Sequence, residues 1–348
     1  MRVTDARLIR LRDFCQFEAW VTLESVQTDP FLLWYRFPLD YMTAVNSGLN
    51  DAFVAALLTP AMALGEPLKI EGVISGQLMQ SLPRLQAIYQ EWNEGLSIIS
   101  VESSGLDHSA APEGRASRVS LFFSLGIDSF YSLLKNHRDH PGDEKTIDHL
   151  LFVRGFDIAI DDPKLDDLLL MSVQNAKKVA DQFGKTLVVA STNLRHFTNR
   201  FVTWGKTCHG AALASIALAL SEGLREVKIA STYDWEHLFP WGSHPQLDPL
   251  WSNGKVVLTH DGCEATRLDK THLVSRHPIA LETLRVCWEN PDSLYNCGKC
   301  KKCLRTMDEL QRCGALERCG SFPRYGIEVV PRNALTFGEG STSERVAA

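Results

Sequence analysis

The chain has 348 residues, 45% of them hydrophobic and 22% charged, with a net charge of −6. At roughly 100–200 residues per domain this length predicts two domains, or one large domain with an appendage. No run of about 18 apolar residues exists to form a transmembrane helix, charges recur through the opening segment where a signal peptide needs an apolar stretch, and the mild acidity gives no ground for bulk nucleic-acid binding. A cytoplasmic protein without membrane association is expected. Nine cysteines are too unevenly spaced for a disulfide scaffold, and four of them fall between 287 and 303, which points to a metal.

In chain order, residues 5–12 and 16–25 read as strands, with 31–37 a candidate third. An apolar stretch over 51–64 predicts a helix kinked at Pro60. Residues 67–75 then suggest a strand, 76–93 a helix and 96–102 a strand, giving a small mixed α/β domain over 1–102 with no chemical motif. Segment 103–117 (SSGLDHSAAPEGRAS) is small, polar and contains Gly and Pro, so it reads as an interdomain linker.

From residue 118 short apolar runs alternate with helical patterns. The runs are 119–124, 149–157, 186–191, 227–231 and 255–260, and the helices include 165–183 and 208–222. Strands buried on both faces and separated by helices predict an α/β fold with a doubly wound parallel sheet over 118–330. Ligands bind such sheets beyond the carboxyl ends of the strands, where the strand order switches. Residues 331–348 are polar and aperiodic and are expected to be a disordered tail.

The first apolar run leads at once into Ser124-Leu125-Gly126-Ile127-Asp128-Ser129 and a helix. Such a turn aims free backbone N–H groups and the positive helix end at one point, which suits a phosphate. Ser124 and Ser129 add hydroxyl donors, Gly126 permits close approach, and Asp128 suits Mg²⁺ or holding the loop. An N-capped strand-to-helix turn uses the same residue types.

Cys287, Cys297, Cys300 and Cys303 form C-x9-C-G-x-C-x-x-C. Four thiolates at this spacing can close a tetrahedral Zn²⁺ site with no open position, so its role would be structural. An iron–sulfur cluster is the main competitor, but the ferredoxin run places its next cysteine where none stands here. Scattered core cysteines are the remaining alternative.

Segment 124–129 resembles the S-G-G-x-D-S loop of the PP-loop ATP pyrophosphatases, which are adenine nucleotide alpha-hydrolase-like proteins. It departs from that loop at Leu125, where the family carries the first glycine and where a side chain could crowd the phosphates. Cys297-Gly-Lys-Cys300-Lys-Lys-Cys303-Leu-Arg305, with Cys287 upstream, is similar to the zinc motif of 7-cyano-7-deazaguanine synthase, a member of that superfamily. The resemblance covers roughly 118–310. It implies a HUP/PP-loop fold and the cofactors ATP, Mg²⁺ and Zn²⁺. It also implies an AMP-forming ligase that adenylates a carboxylate or amide oxygen of a small molecule and transfers nitrogen. The additional N-terminal region implies a substrate different from that of the synthase.

Several further residues are candidates. Lys270, in a stretch where the synthase-like enzymes use a lysine, is the expected phosphate neutraliser, and Asn193 a flank of the nucleotide. The full nucleotide set is then Ser124, Leu125, Gly126, Ile127, Asp128, Ser129, Asn193 and Lys270. Ser243, His244 and Asp248, in a polar-aromatic segment after strand 227–231, are candidate substrate contacts, with Trp241 and Trp251 as apolar walls and Arg305 facing substrate or phosphate. A loop capped by its own side chains is the rival reading of that segment. Cys208, beside His209 at the start of an apolar helix, should have a lowered thiol pKa. If it carries sulfur, Cys208 joins Ser124, Asp128 and Lys270 as a catalytic residue and the product becomes a thioamide or thiolated base. The expected partners are a small-molecule substrate and an ammonia or sulfur donor, with a homodimer as a candidate assembly. A third alternative is a non-catalytic protein that binds a nucleotide or a partner.

Overall fold

The computed structural model describes residues 1–109 and 118–323. The elements are β1 (Arg2–Arg10), β2 (Phe14–Thr22), β3 (Phe31–Pro38), α1 (Asp51–Leu64), β4 (Leu68–Ser75), α2 (Gly76–Trp92) and β5 (Val101–Asp107). After residue 117 come β6 (Arg118–Phe122), α3 (Ile127–Asp139), β7 (Ile147–Arg154), α4 (Asp166–Gln182), β8 (Thr186–Thr192) and α5 (Leu194–Thr198). The chain continues through α6 (His209–Ala219), β9 (Leu224–Ala230), β10 (Val257–Asp261), α7 (Arg267–Val274), α8 (Pro278–Thr283) and α9 (Lys301–Arg312).

Ten strands form one sheet in the order β10-β9-β6-β7-β8-β3-β2-β1-β4-β5. From β10 to β8 every pairing is parallel. Counted from β6, this half has the doubly wound order 3-2-1-4-5, with the switch between β6 and β9. Its central strands β6 and β7 are buried on both faces, as continuous apolar runs require. On β6 and β7, Val119, Leu121, Leu150 and Phe152 join a core with α3, α4, α8 and the clustered cysteines. Phe122 and Leu151 face the opposite core, which contains α1, α2 and α6.

The first hundred residues belong to the same sheet. Strand β3 pairs antiparallel with β8 at Tyr35 to Thr192 and Arg36 to Ser191, and the apolar helices α1 and α6 share one core. Pro60 lies inside α1, which runs as a single helix past it. The strand expected at 96–102 forms later, as β5, so the stretch expected to be a linker opens as a strand parallel to β4. The rest of that stretch from 110 on, and the expected tail at 331–348, lie outside the described residues.

Candidate functional site

The carboxyl ends of β6, β7 and β9 open into a cavity of about 1030 Å³, at the switch in strand order. Ser124, Gly126, Ile127, Asp128 and Ser129 line it, and Gly126 caps α3. Leu125 adopts φ +66°, the left-handed conformation that favours glycine. Its side chain is fully buried in the core beneath the loop and does not line the cavity, so the expected crowding by its isobutyl group is absent.

Asp128 Oδ2 accepts from Arg267 Nη1 at 2.8 Å, while Asp128 Oδ1 is buried without a hydrogen-bond partner. Arg267 also meets Glu309 at 3.1 Å, and Glu309 accepts from Arg305 Nε at 2.9 Å. This chain of charges joins the loop 124–129 through α7 to α9. Lys270 sits beneath it rather than in the cavity: its Nζ donates to Ser231 O at 2.6 Å and lies 3.9 Å from Asp128. Burial pushes its ammonium below the ordinary lysine value, against the pull of Asp128. The cation that reaches the cavity is Arg267, one helical turn earlier. Arg195, Arg285, Lys302 and Arg305 join it on the lining, five cations against the carboxylates of Asp128 and Asp157. In an acidic chain this is a local reversal of sign, which attracts an anion.

The opposite wall is aromatic. Successive ring centroids lie 4.6 Å apart from Tyr233 to Phe239, 5.6 Å from Phe239 to Trp241 and 5.9 Å from Trp241 to His209. They continue at 6.4 Å to Trp204 and 5.0 Å to Phe156. Close backbone contacts fix this wall. A Cβ on Gly210 would approach Gly242 O to 2.2 Å, and one on Gly205 would approach Trp241 to 2.7 Å. A single π-type turn, Trp204–Cys208, feeds into α6 and presents Trp204 and His209.

Ser243 and His244 line the cavity, but Asp248 is fully buried behind them. Its Oδ2 accepts from Ser243 Oγ at 2.6 Å and from His260 Nδ1 at 2.6 Å. Burial alone would lower the His260 pKa; hydrogen bonds to Asp248 and Cys263 outweigh it and raise the value to about 9. Trp241 is a wall of the cavity as expected, whereas Trp251 is fully buried elsewhere in the core. Asn193 is also outside the cavity. Its carboxamide accepts from Trp34 N at 2.9 Å and donates to Leu32 O at 2.7 Å, so it clamps β3 to the end of β8. Cys208 is buried against Trp204 O at 3.9 Å and absent from the lining. Burial pushes its thiol up to about 12, opposite to the lowering expected at a helix start.

The Sγ atoms of Cys287, Cys297, Cys300 and Cys303 lie within 4.8 Å of one another, and all four residues are buried. Cys297 to Cys303 is 3.8 Å and Cys287 to Cys300 is 4.0 Å. Tetrahedral zinc with Zn–S of about 2.3 Å requires edges of about 3.8 Å, so the donor set fits a metal such as zinc. Amides of Lys299 and Cys300 point at Cys297 Sγ, at 3.4 and 3.2 Å. Gly298, at φ +67°, makes that turn, and a Cβ there would meet Pro323 at 3.1 Å. The cluster abuts the cavity: Arg285 to Trp288 line it, and Arg285 N donates to Leu125 O at 2.9 Å.

No family model matches the chain, no curated protein matches it, and no solved structure matches it.

Sequence reasoning brings Ser124, Gly126, Ile127, Asp128, Ser129, Ser243, His244 and Arg305 to one cavity, with His260 at the end of β10 also a candidate contact, and misses Arg267, Arg285 and Arg195 as lining residues. The signal for Arg267 was its spacing from Lys270; which of the two faces the cavity follows from the packing of α7 on α3.

Proposed function

We propose that the chain is an ATP-dependent, AMP-forming synthetase of the PP-loop type. It adenylates a carboxylate or amide oxygen of a small, ring-bearing molecule and transfers nitrogen to give an amide or nitrile. The observation that carries this reading is the loop Ser124–Ser129 at the start of α3, which opens on a cavity lined by five cations and two carboxylates. The strand order supports it, because the loop follows the strand at the switch. So does Leu125, whose side chain leaves the cavity open. The resemblance to 7-cyano-7-deazaguanine synthase supplies the reaction class.

In this reading the substrate oxygen attacks the α-phosphorus of Mg·ATP and the P–O bond to pyrophosphate breaks. Backbone amides at the start of α3, the Ser124 hydroxyl and Arg267 would hold the departing charge, an electrostatic role. Asp128, the carboxylate of the loop that lines the cavity, is the residue to hold Mg²⁺. The aromatic wall suits a flat ring, with Ser243 and His244 as polar contacts. Zinc would tie the segment of Arg285 and the start of α9 to the cavity without touching the reacting atoms.

The test is to incubate the chain with Mg·ATP, ammonium and a panel of ring-bearing carboxylates, including 7-carboxy-7-deazaguanine. AMP and pyrophosphate are expected with at least one of them; release of ADP overturns the proposal.

A further inference from the structure

Three histidines line the cavity, and their partners fix what each offers to it. His260 Nδ1 donates to the buried Asp248 carboxylate at 2.6 Å, and this pairing raises its pKa to about 9, which favours the cation, with no lone pair to give, at neutral pH. His244 Nδ1 lies 3.1 Å from the amide N–H of Gln246, which can only donate, so Nδ1 accepts and Nε2 carries the hydrogen. His209 is the reverse. Its Nδ1 lies 3.0 Å from Gly205 O, which can only accept, so Nδ1 carries the hydrogen and Nε2 keeps its lone pair.

We propose that His209 is the base of this cavity and that its Nε2 takes the proton from the attacking nitrogen. This rests on the adenylation reading. In that step the nitrogen lone pair forms the C–N bond, and the C–O bond to AMP breaks with its electrons leaving on AMP. The proton lost by nitrogen passes to His209 Nε2 and then to solvent. The placement suits the role, because the His209 ring stands in the aromatic wall between Trp204 and Trp241, where a flat substrate would lie. Its surroundings favour the neutral ring: burial disfavours the imidazolium and outweighs the pull of Asp248 and of the Gly205 carbonyl, with Lys302 a smaller aid and Asp157 a smaller opposing pull.

Two measurements on the full chain test this. Nitrogen NMR of histidine-labelled protein, assigned with His209→Asn, should show a ring protonated on Nδ1 and bare on Nε2 at pH 7. Diethyl pyrocarbonate should modify that Nε2 with a pH midpoint below the ordinary histidine value. A cationic ring, or hydrogen on Nε2, overturns the proposal. In the panel assay at saturating substrate His209→Asn, which keeps a donor to Gly205 O, should lower amide or nitrile formation about 100-fold or more, at least about tenfold beyond any loss of pyrophosphate exchange into ATP, and an equal loss of both overturns the role. Hydroxylamine, a stronger nucleophile, should restore product. Wild-type rates of nitrogen transfer in the variant overturn the role of His209; failure of the wild-type chain to form AMP with any carboxylate overturns the adenylation reading instead, and the NMR and modification results then decide the state of His209 on their own.

Discussion

Leu125 and the pair His260–Asp248 show how single residues at this site are set by opposing terms. A left-handed backbone costs a leucine about 1–2 kcal/mol, yet its side chain is fully buried. Loss of a buried leucine costs about 2–5 kcal/mol, so burial wins. Leu125→Gly should therefore lower stability by about 1–3 kcal/mol despite relieving the backbone, as read from the urea midpoint. ATP affinity by calorimetry should change little, because the removed atoms do not face the cavity. His260 has a pKa raised from 6.5 to about 9, so its ion pair contributes fully below about pH 6.5 and is lost as the pH rises through about 9. That shift corresponds to about 3 kcal/mol. Asp248→Asn should be less stable than the wild type by about that amount at pH 6, and the gap should narrow above pH 9 when urea midpoints are compared across pH.

Two joints between elements carry the site. The register between β3 and β8 extends over only two residue pairs, and the Asn193 carboxamide lengthens it with one accepted and one donated hydrogen bond. Asn193→Ala leaves the Leu32 carbonyl and the Trp34 amide without those partners, and should cost about 2–3 kcal/mol in the denaturant midpoint. Nucleotide affinity should be preserved, which separates this role from the sequence expectation of a nucleotide contact. The second joint is the cysteine cluster. Cys303→Ser should lower the zinc content, measured by metal analysis of purified protein, from about one per chain to well below it. The same substitution should lower the melting temperature and free the Arg285 segment from Leu125 in the loop 124–129. A protein that binds no metal before substitution would remove this account.

At the scale of the whole molecule, the first hundred residues complete the sheet. Together with β5 at 101–107 they supply half its strands, and they supply the helix α1 that packs on α6. A fragment of residues 118–323 would expose the edge of β8 and the apolar face of α6, and unpaired edges with apolar faces associate. It should be recovered mainly as aggregate, whereas the full chain remains dispersed, as size-exclusion chromatography would show. A monomeric, cooperatively melting fragment would show that the N-terminal region is dispensable for folding.

The local signals were legible because their causes are local. Alternating apolar runs and helices follow from residue order, and so does the expectation of a parallel sheet from β6 to β10. The turn Ser124–Ser129 and the four-cysteine spacing could also be read directly, since both depend on residues close in sequence. Other assignments required the fold. Lys270 and Arg267 stand one helical turn apart on α7, and only the packing of α7 on α3 turns Arg267 to the cavity and Lys270 to Ser231. Asn193, after an apolar strand, and Cys208, at the start of an apolar helix, had suitable chemistry and position, but their partners come from β3 and the Trp204 turn. His209 was legible only as the neighbour of Cys208; its tautomer is set by Gly205 O, and its place in a row of rings by glycines that let two backbones touch. Sequence by itself determined which chemistry was present, because side-chain type and near spacing fix it. The tertiary structure decided which of those groups share one cavity, because burial, charge partners and side-chain direction depend on contacts made far along the chain.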